Sequence, residues 1–191
     1  MYIICGLGNP GSKYKNTRHN VGFQFIDQLI INYKFKLFKK NKSVEIFKGS
    51  IKNKNYYILK PLTYMNLSGI PILSFLNYYK HSLKDLLVVH DDLDLILGKI
   101  KFKKGGGNAG HKGLDNIDKT IGNAYNRLRI GIGHPSSKKE VNNYVLDKFS
   151  ILEKKIIKNI IDISIDNIDL LFYKKELFLN KISILKNNIN K

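Results

Sequence analysis

At 191 residues, with 43% hydrophobic content, 10 Phe and 11 Tyr, the chain is long enough to bury a core and too apolar to be disordered. No run of 18 apolar residues offers a membrane span, the first residues lack the basic-then-apolar pattern of a secretory signal, and the single cysteine, Cys5, rules out an internal disulfide, so a reducing cytoplasm is the expected compartment. The net charge of +18 attracts polyanions, nucleic acid above all, although Lys, Asn and Ile are enriched together and compositional drift explains part of the excess.

In chain order, the apolar residues 2–5 predict a short strand. It runs into Gly6-Leu7-Gly8-Asn9-Pro10-Gly11, then Tyr14 and Thr17-Arg18-His19-Asn20. Apolar residues at Val21, Phe25 and Leu29, with Phe23, Ile26 and Ile30, predict a helix after this turn. The glycine spacing matches the dinucleotide pattern only formally. Pro10 interrupts it, no helix opens at the last glycine, and Lys34 and Lys36 stand where an acidic ribose ligand would be. Residues 44–51 and 56–60 read as a hairpin with a polar turn at 52–55. Pro61 ends the second strand, and the loop 62–69 leads to a helix with Pro71 in its first turn. The wholly apolar run 86–89 predicts a strand buried on both faces, as in a parallel sheet, with His90-Asp91-Asp92-Leu93-Asp94 at its C-terminal end.

Residues 99–104 alternate charged and apolar side chains and predict a half-exposed strand. A glycine-rich loop at 105–111, a short helix at 112–121 and a strand at 127–132 follow. Helical patterns lie near 138–148 and 152–173, and a Lys/Asn-rich last helix is expected to fray at its end. No repeat or linker divides the chain. The expected fold is α/β: a single domain over 1–191 with a twisted mixed, largely parallel sheet flanked by helices, and a C-terminal helical tail from about 151 to 191.

Four strand ends carry chemically useful residues: Asn9 with His19, Asn66, Asp91, and the loop around His111. In open α/β sheets ligands bind at such ends. A His beside an Asp makes a general base, because the carboxylate fixes the tautomer and stabilises the imidazolium. Asn side chains hold a carbonyl, donate to a developing oxyanion or position a water. No nucleophile elbow accompanies them and Cys5 sits in an apolar strand, so water is the expected attacker. Base catalysis contributes about 10²–10⁴-fold, which suits an already reactive acyl bond such as an ester. Asp85, Asp91, Asp92 and Asp94 form an acidic cluster that suits Mg²⁺ or, more commonly, a solvated loop; no metal site is expected. Arginine is scarce: Arg18, Arg127 and Arg129 each lie near a motif, and the planar guanidinium suits phosphate.

These residues together resemble the bacterial peptidyl-tRNA hydrolase family. The matching pieces are Gly6 to Gly11, Tyr14, Thr17 to Asn20, Pro61-Leu62-Thr63-Tyr64-Met65-Asn66-Leu67-Ser68-Gly69, His90 to Asp94, Gly105 to Gly113 and Arg127-Leu128-Arg129-Ile130-Gly131-Ile132-Gly133-His134-Pro135, covering residues 2 to about 150 in the family's order. The resemblance implies cleavage of the ester between a peptide and the 3′-terminal ribose of tRNA. It makes His19 the base that activates water and Asp91 the residue that orients it. Asn9 and Asn66 bind the peptide main chain, and Asn66 is favoured for the oxyanion. Tyr14, in the matching motif, is a substrate-binding residue, Met65 lines the cleft, and His111 sits in a loop over it. Lys103 and Arg129 clamp the tRNA 5′-phosphate, which is sensible chemistry for a Lys–Arg pair. The resemblance implies no metal or organic cofactor, peptidyl-tRNA as the partner through its acceptor stem, 3′ end and 5′-phosphate, and a monomer. One position departs: the family's Asn after the loop histidine is Lys112 here, which donates hydrogen bonds, accepts none and adds charge at the cleft rim. A non-catalytic RNA-binding protein on the same fold is the alternative. It would share the charge but would not need His19 with Asp91.

Overall fold

The structure, a computed structural model, describes residues 1–135 and 137–189. One seven-stranded sheet runs in the order β2-β3-β4-β1-β5-β7-β6. Its strands are β1 (Tyr2–Gly6), β2 (Lys36–Lys40), β3 (Val44–Ile51), β4 (Lys54–Pro61), β5 (Leu86–Asp92), β6 (Ile100–Lys104) and β7 (Asn126–Gly131). The four central strands, β4, β1, β5 and β7, are mutually parallel. Antiparallel partners close both sides: β3 and β2 beyond β4, and β6 beyond β7. The sheet is thus mixed, with its parallel character concentrated in the middle.

Helices cover both faces. Helix α1 (Val21–Asn32), α5 (Ile151–Asp166) and α6 (Lys175–Ile189) pack on Ile4, Leu87, Val89, Leu128 and Ile130. Helix α2 (Gly69–Tyr79) and α3 (Lys112–Ile121) pack on Ile3, Cys5, Leu86 and Val88. The alternation of side chains along β1 and β5 sends successive residues to opposite cores, which is why the run 86–89 is apolar throughout.

Three details differ from the sequence reading. The β3–β4 turn is two residues, Lys52 and Asn53, both at positive φ, so the strands twist into the hairpin without the four-residue loop expected. Strand β2 was not foreseen: every residue in it is exposed, so it carries no buried stripe to read, and its lysines are of the kind that protect a sheet edge. The second long helical pattern is split: α5 ends at Asp166, a 3-10 turn spans Ile168–Leu170, and α6 follows. Helix α5 starts on a capping box in which Ser150 and Glu153 satisfy each other's backbone N–H. The expected frayed end at residues 190–191 lies outside the described residues.

The chain leaves β1 toward β4 on one side and later crosses to β5 on the other. The carboxyl ends of β1 and β5 therefore flank the point where strand order reverses, the usual place for a ligand in such sheets. Glycine makes the next contact achievable. A Cβ on Gly6 would collide with the carbonyl of Gly22, and one on Gly22 would collide with Val89 and Leu7 backbone. The start of α1 thus lies directly on the strand ends, and the 3-10 turn before it (Arg18–Asn20) sits beside β5.

Candidate active site

His19 comes from that turn and Asp91 from the penultimate position of β5. Their side chains meet: His19 Nδ1 lies 2.9 Å from Asp91 Oδ1 and 3.0 Å from Oδ2. Both residues are buried, at 7% and 2% exposure. Asp91 accepts, so Nδ1 of His19 carries the proton and its Nε2 lone pair is left to act as a base. Burial by itself would raise the Asp91 carboxyl; the two imidazoles that bond to it, with the positive charge either gains on protonation, outweigh burial and hold Asp91 well below the usual carboxylate range.

A second imidazole reaches the same carboxylate from the other side of the sheet. His111 Nε2 lies 3.0 Å from Asp91 Oδ1. Its Nδ1 accepts from the backbone N–H of Gly113 and Leu114, at 3.1 and 3.2 Å, and so caps α3. His19, Asp91 and His111 form a group whose ligand atoms lie within 4.8 Å of one another. Each imidazole N–H already points at the carboxylate, so the group is a hydrogen-bonded array. Gly113 is needed at this spot: a Cβ there would stand 2.5 Å from Met65 Sδ and 3.0 Å from His111 Cε1.

Asn9 follows β1 and is 7% exposed. Its Oδ1 accepts from Met65 N at 2.8 Å, which leaves Nδ2 without a partner among the described residues. Asn20 holds Asn9 in place through two 2.9 Å bonds, accepting from its N–H and donating to its carbonyl. Met65 is 4% exposed and packs in the core beneath α2 and α3, with its backbone N–H tied to Asn9 and its side chain beside Gly113. Asn66 is the next residue, exposed on a 3-10 turn (Met65–Leu67). Tyr14 packs edge-on to the exposed Tyr64 at 6.4 Å.

One cavity adjoins the array and a second lies beside Asn9. The first, of about 210 Å³, is lined by His19, Asp91, His111, Lys112, Asn142 and Val145 among others, and lies between the glycine-rich loop and α4 (Val141–Leu146). The second, of about 370 Å³, is lined by Asn9, Asn20, Lys15 and Lys60 among others. Lys112 is exposed and makes no salt bridge or side-chain hydrogen bond among the described residues.

The arginines fare differently from the sequence reading. Arg18 grips Glu153 with two bonds of 3.0 and 3.1 Å and stacks on Tyr144. Arg127 is 1% exposed and binds Asp118 and the carbonyls of Gly106 and Gly107, so it pins the glycine-rich loop. Neither is available to phosphate. Arg129 is bonded through Nε to Asp92 at 2.6 Å, with its terminal nitrogens uncommitted among the described residues. Lys103 pairs in register with Arg127 and lies diagonal to Arg129, on the same face of the β6–β7 pair; Lys101 is directly opposite Arg129. The acidic cluster does not converge: Asp91 serves the two imidazoles and Asp92 serves Arg129. Cys5 is fully buried, which pushes its thiol far above the ordinary range and removes it as a nucleophile. Asn20 and His90 were not foreseen as site residues. Asn20 was visible only as part of the motif around His19, and nothing in its spacing signals the bond to Asn9.

A family model described as peptidyl-tRNA hydrolase matches residues 3–190 of this chain. The chain belongs to the peptidyl-tRNA hydrolase family. The peptidyl-tRNA hydrolase of Rickettsia canadensis (strain McKiel) is 45% identical over 184 residues, which cover 95% of this chain and 100% of that protein. That of Wolbachia sp. subsp. Drosophila simulans (strain wRi) is 47% identical over 166 residues, 84% of this chain and 91% of that protein. The crystal structure of peptidyl-tRNA hydrolase from Acinetobacter baumannii has a TM-score of 0.89 at 40% identity, covering 95% of this chain and 94% of that one. The family resemblance drawn from motifs over residues 2 to 150 thus extends across the C-terminal helices. No helix among the described residues is long and apolar enough to cross a membrane.

Proposed function

We propose that this chain hydrolyses the ester between a peptide, or an N-blocked aminoacyl group, and the 3′-terminal ribose of peptidyl-tRNA. The observation that carries the reading is the His19–Asp91 contact of 2.9 Å, which leaves Nε2 of His19 as a free base beside an open cavity. A non-catalytic RNA-binding protein has no need of that pair.

In this mechanism His19 Nε2 takes a proton from water as the oxygen attacks the ester carbonyl, and Asp91 stabilises the imidazolium that forms. The Nδ2 group of Asn9, left over once Oδ1 is bonded to Met65 N, binds a carbonyl oxygen of the peptide. Asn66, exposed on the following turn, is the donor assigned to the oxyanion. The imidazolium then returns its proton to the ribose oxygen as the ester breaks. Tyr14 with Tyr64 flanks the peptide side. His111 and Lys112 line the cavity beside His19, where the acceptor end enters. Lys103 and Arg129 take the 5′-phosphate, and the +18 charge draws the polyanion in. The protein acts as a monomer in the cytoplasm, on the acceptor stem and 3′ end, without a metal: Asp91 and Asp92 are already engaged by imidazole and guanidinium.

The test is hydrolysis of N-acetyl-aminoacyl-tRNA with and without EDTA, followed by release of free tRNA. Release at equal rates in both supports the proposal. No release refutes the activity, and loss of it with EDTA refutes the metal-free mechanism.

A further inference from the structure

We infer that His111 is a positioning residue for the base: by donating a second hydrogen bond to Asp91 it fixes the carboxylate and tempers its pull on His19. The inference rests on the proposed hydrolysis and adds to it a role for the loop histidine.

The tautomer of His111 is set at both ends. Nδ1 carries a lone pair, because the N–H groups of Gly113 and Leu114 both point at it. The ring proton is therefore on Nε2, which faces Asp91 Oδ1 at 3.0 Å. A proton added to Nδ1 would meet two backbone donors at the positive end of α3. Of the two imidazoles on Asp91, His19 is thus the ring with a nitrogen left for chemistry. The rings lie 4.8 Å apart, centroid to centroid, and the side chains of His19 and His111 are 9% and 8% exposed, so solvent competes little for the shared carboxylate.

This has two consequences. With both oxygens engaged, Asp91 is held against rotation, and His19 is aimed along one direction. Oδ1 also divides its accepting strength between two N–H groups, so the imidazolium of His19 gains less from it than it would from an unshared carboxylate. The other charged or titratable groups against the pair are accounted for. His90 Nδ1 is bonded to the Asp91 carbonyl, Asp92 to Arg129, and Arg18 to Glu153. Lys112, His134 and Asp94 line the cavity beyond them.

Two substitutions separate this role from the capping role. In His111→Asn the side-chain oxygen overlies Nδ1 and preserves the cap, since Asn is a favoured N-cap, but it is too short to reach Asp91. In His111→Gln the amide N–H overlies Nε2 and preserves the donor while the cap is lost. With the cap kept, His111→Asn is expected to melt no more than a few degrees lower, the cost of the lost bond to Asp91, and it is assayed with N-acetyl-aminoacyl-tRNA as substrate. Its kcat should fall by about tenfold, the worth of one charge-assisted hydrogen bond, with a smaller change in KM. The acid limb of its kcat/KM profile should move to higher pH, because Asp91 is then shared with no second donor. His111→Gln is expected to melt a few degrees lower, yet to keep the acid limb and most of kcat. The opposite pattern, with His111→Asn unimpaired and unshifted while His111→Gln loses activity, would make His111 a helix cap alone and overturn the inference. A wild-type protein that hydrolyses nothing would instead defeat the underlying reading of function.

Discussion

Asn20 and Asn9 exchange two hydrogen bonds of 2.9 Å, one in each direction, and so hold the turn after β1 against the turn before α1. Asn9 in turn reaches across to Met65 N with its Oδ1. The donor nitrogen of Asn9 is therefore aimed by two neighbours, neither of which needs to touch substrate. Asn20→Ala is expected to leave the protein folded and to lower kcat/KM by about tenfold, because a buried donor and acceptor of the Asn9 backbone lose their partner. Activity within twofold of wild type would show that Asn9 is held without Asn20.

His19→Ala should reduce the hydrolytic rate by at least about 10²–10⁴-fold, the range ascribed to a positioned base, while tRNA affinity survives. Single-turnover hydrolysis and filter binding on the same preparation separate the two. A variant that retained wild-type turnover would exclude His19 as the base.

Much of this arrangement is legible in the chain. Residues 86–89 are apolar throughout, which specifies a central parallel strand, and Asn9 and Asp91 each stand at a strand end, where convergence is expected. Contacts between distant segments are not legible. Arg18 reads as a phosphate ligand until its partner Glu153, 135 residues away, is brought to it. The bond from His111 to Asp91 depends on the cap of α3, which the glycine-rich sequence 105–110 leaves undetermined. Strand β2 is hidden because no side of it is buried.

The proposed clamp makes its two members unequal tests. Lys103→Ala removes an amine whose exit disturbs nothing buried. It is expected to raise KM several-fold for substrates with a 5′-phosphate and to lower the salt slope by about one. Arg129→Ala does the same but also strips Asp92, 7% exposed, of its ion pair, so it should lose stability as well. An equal effect of Lys103→Ala on substrates lacking the 5′-phosphate would rule out the clamp.

Lys112 stands at the first position of α3, where a cation opposes the helix dipole by about 0.3–1 kcal/mol. It also lines the cavity beside His19. Lys112→Asn is therefore expected to leave stability unchanged or slightly higher. Affinity for tRNA should weaken, with a shallower salt dependence by roughly 0.7, the value for one contact to a single-stranded phosphate. Unchanged turnover and unchanged tRNA affinity would remove Lys112 from the interface.

His90 sets the stability of this region against acid. It is 2% exposed, its Nδ1 is bonded to the Asp91 carbonyl, and its Nε2 has no partner among the described residues. Burial, reinforced by the neighbouring His111, lowers it from 6.5 to about 3. Between those values the unfolded chain binds a proton that the folded chain refuses, so stability falls as pH falls, by roughly 1.4 kcal/mol per pH unit from this residue. Asp91 acts in a separate window. Its folded carboxyl is depressed, so its contribution is complete above the ordinary carboxylate range near 3.8 and is lost only below it. Urea unfolding at pH 7, 6, 5 and 4.5 should therefore show a steady decline that His90→Asn, whose amide can keep the bond to the Asp91 carbonyl, makes shallower. Parallel profiles for the two proteins would mean that His90 does not carry the acid sensitivity.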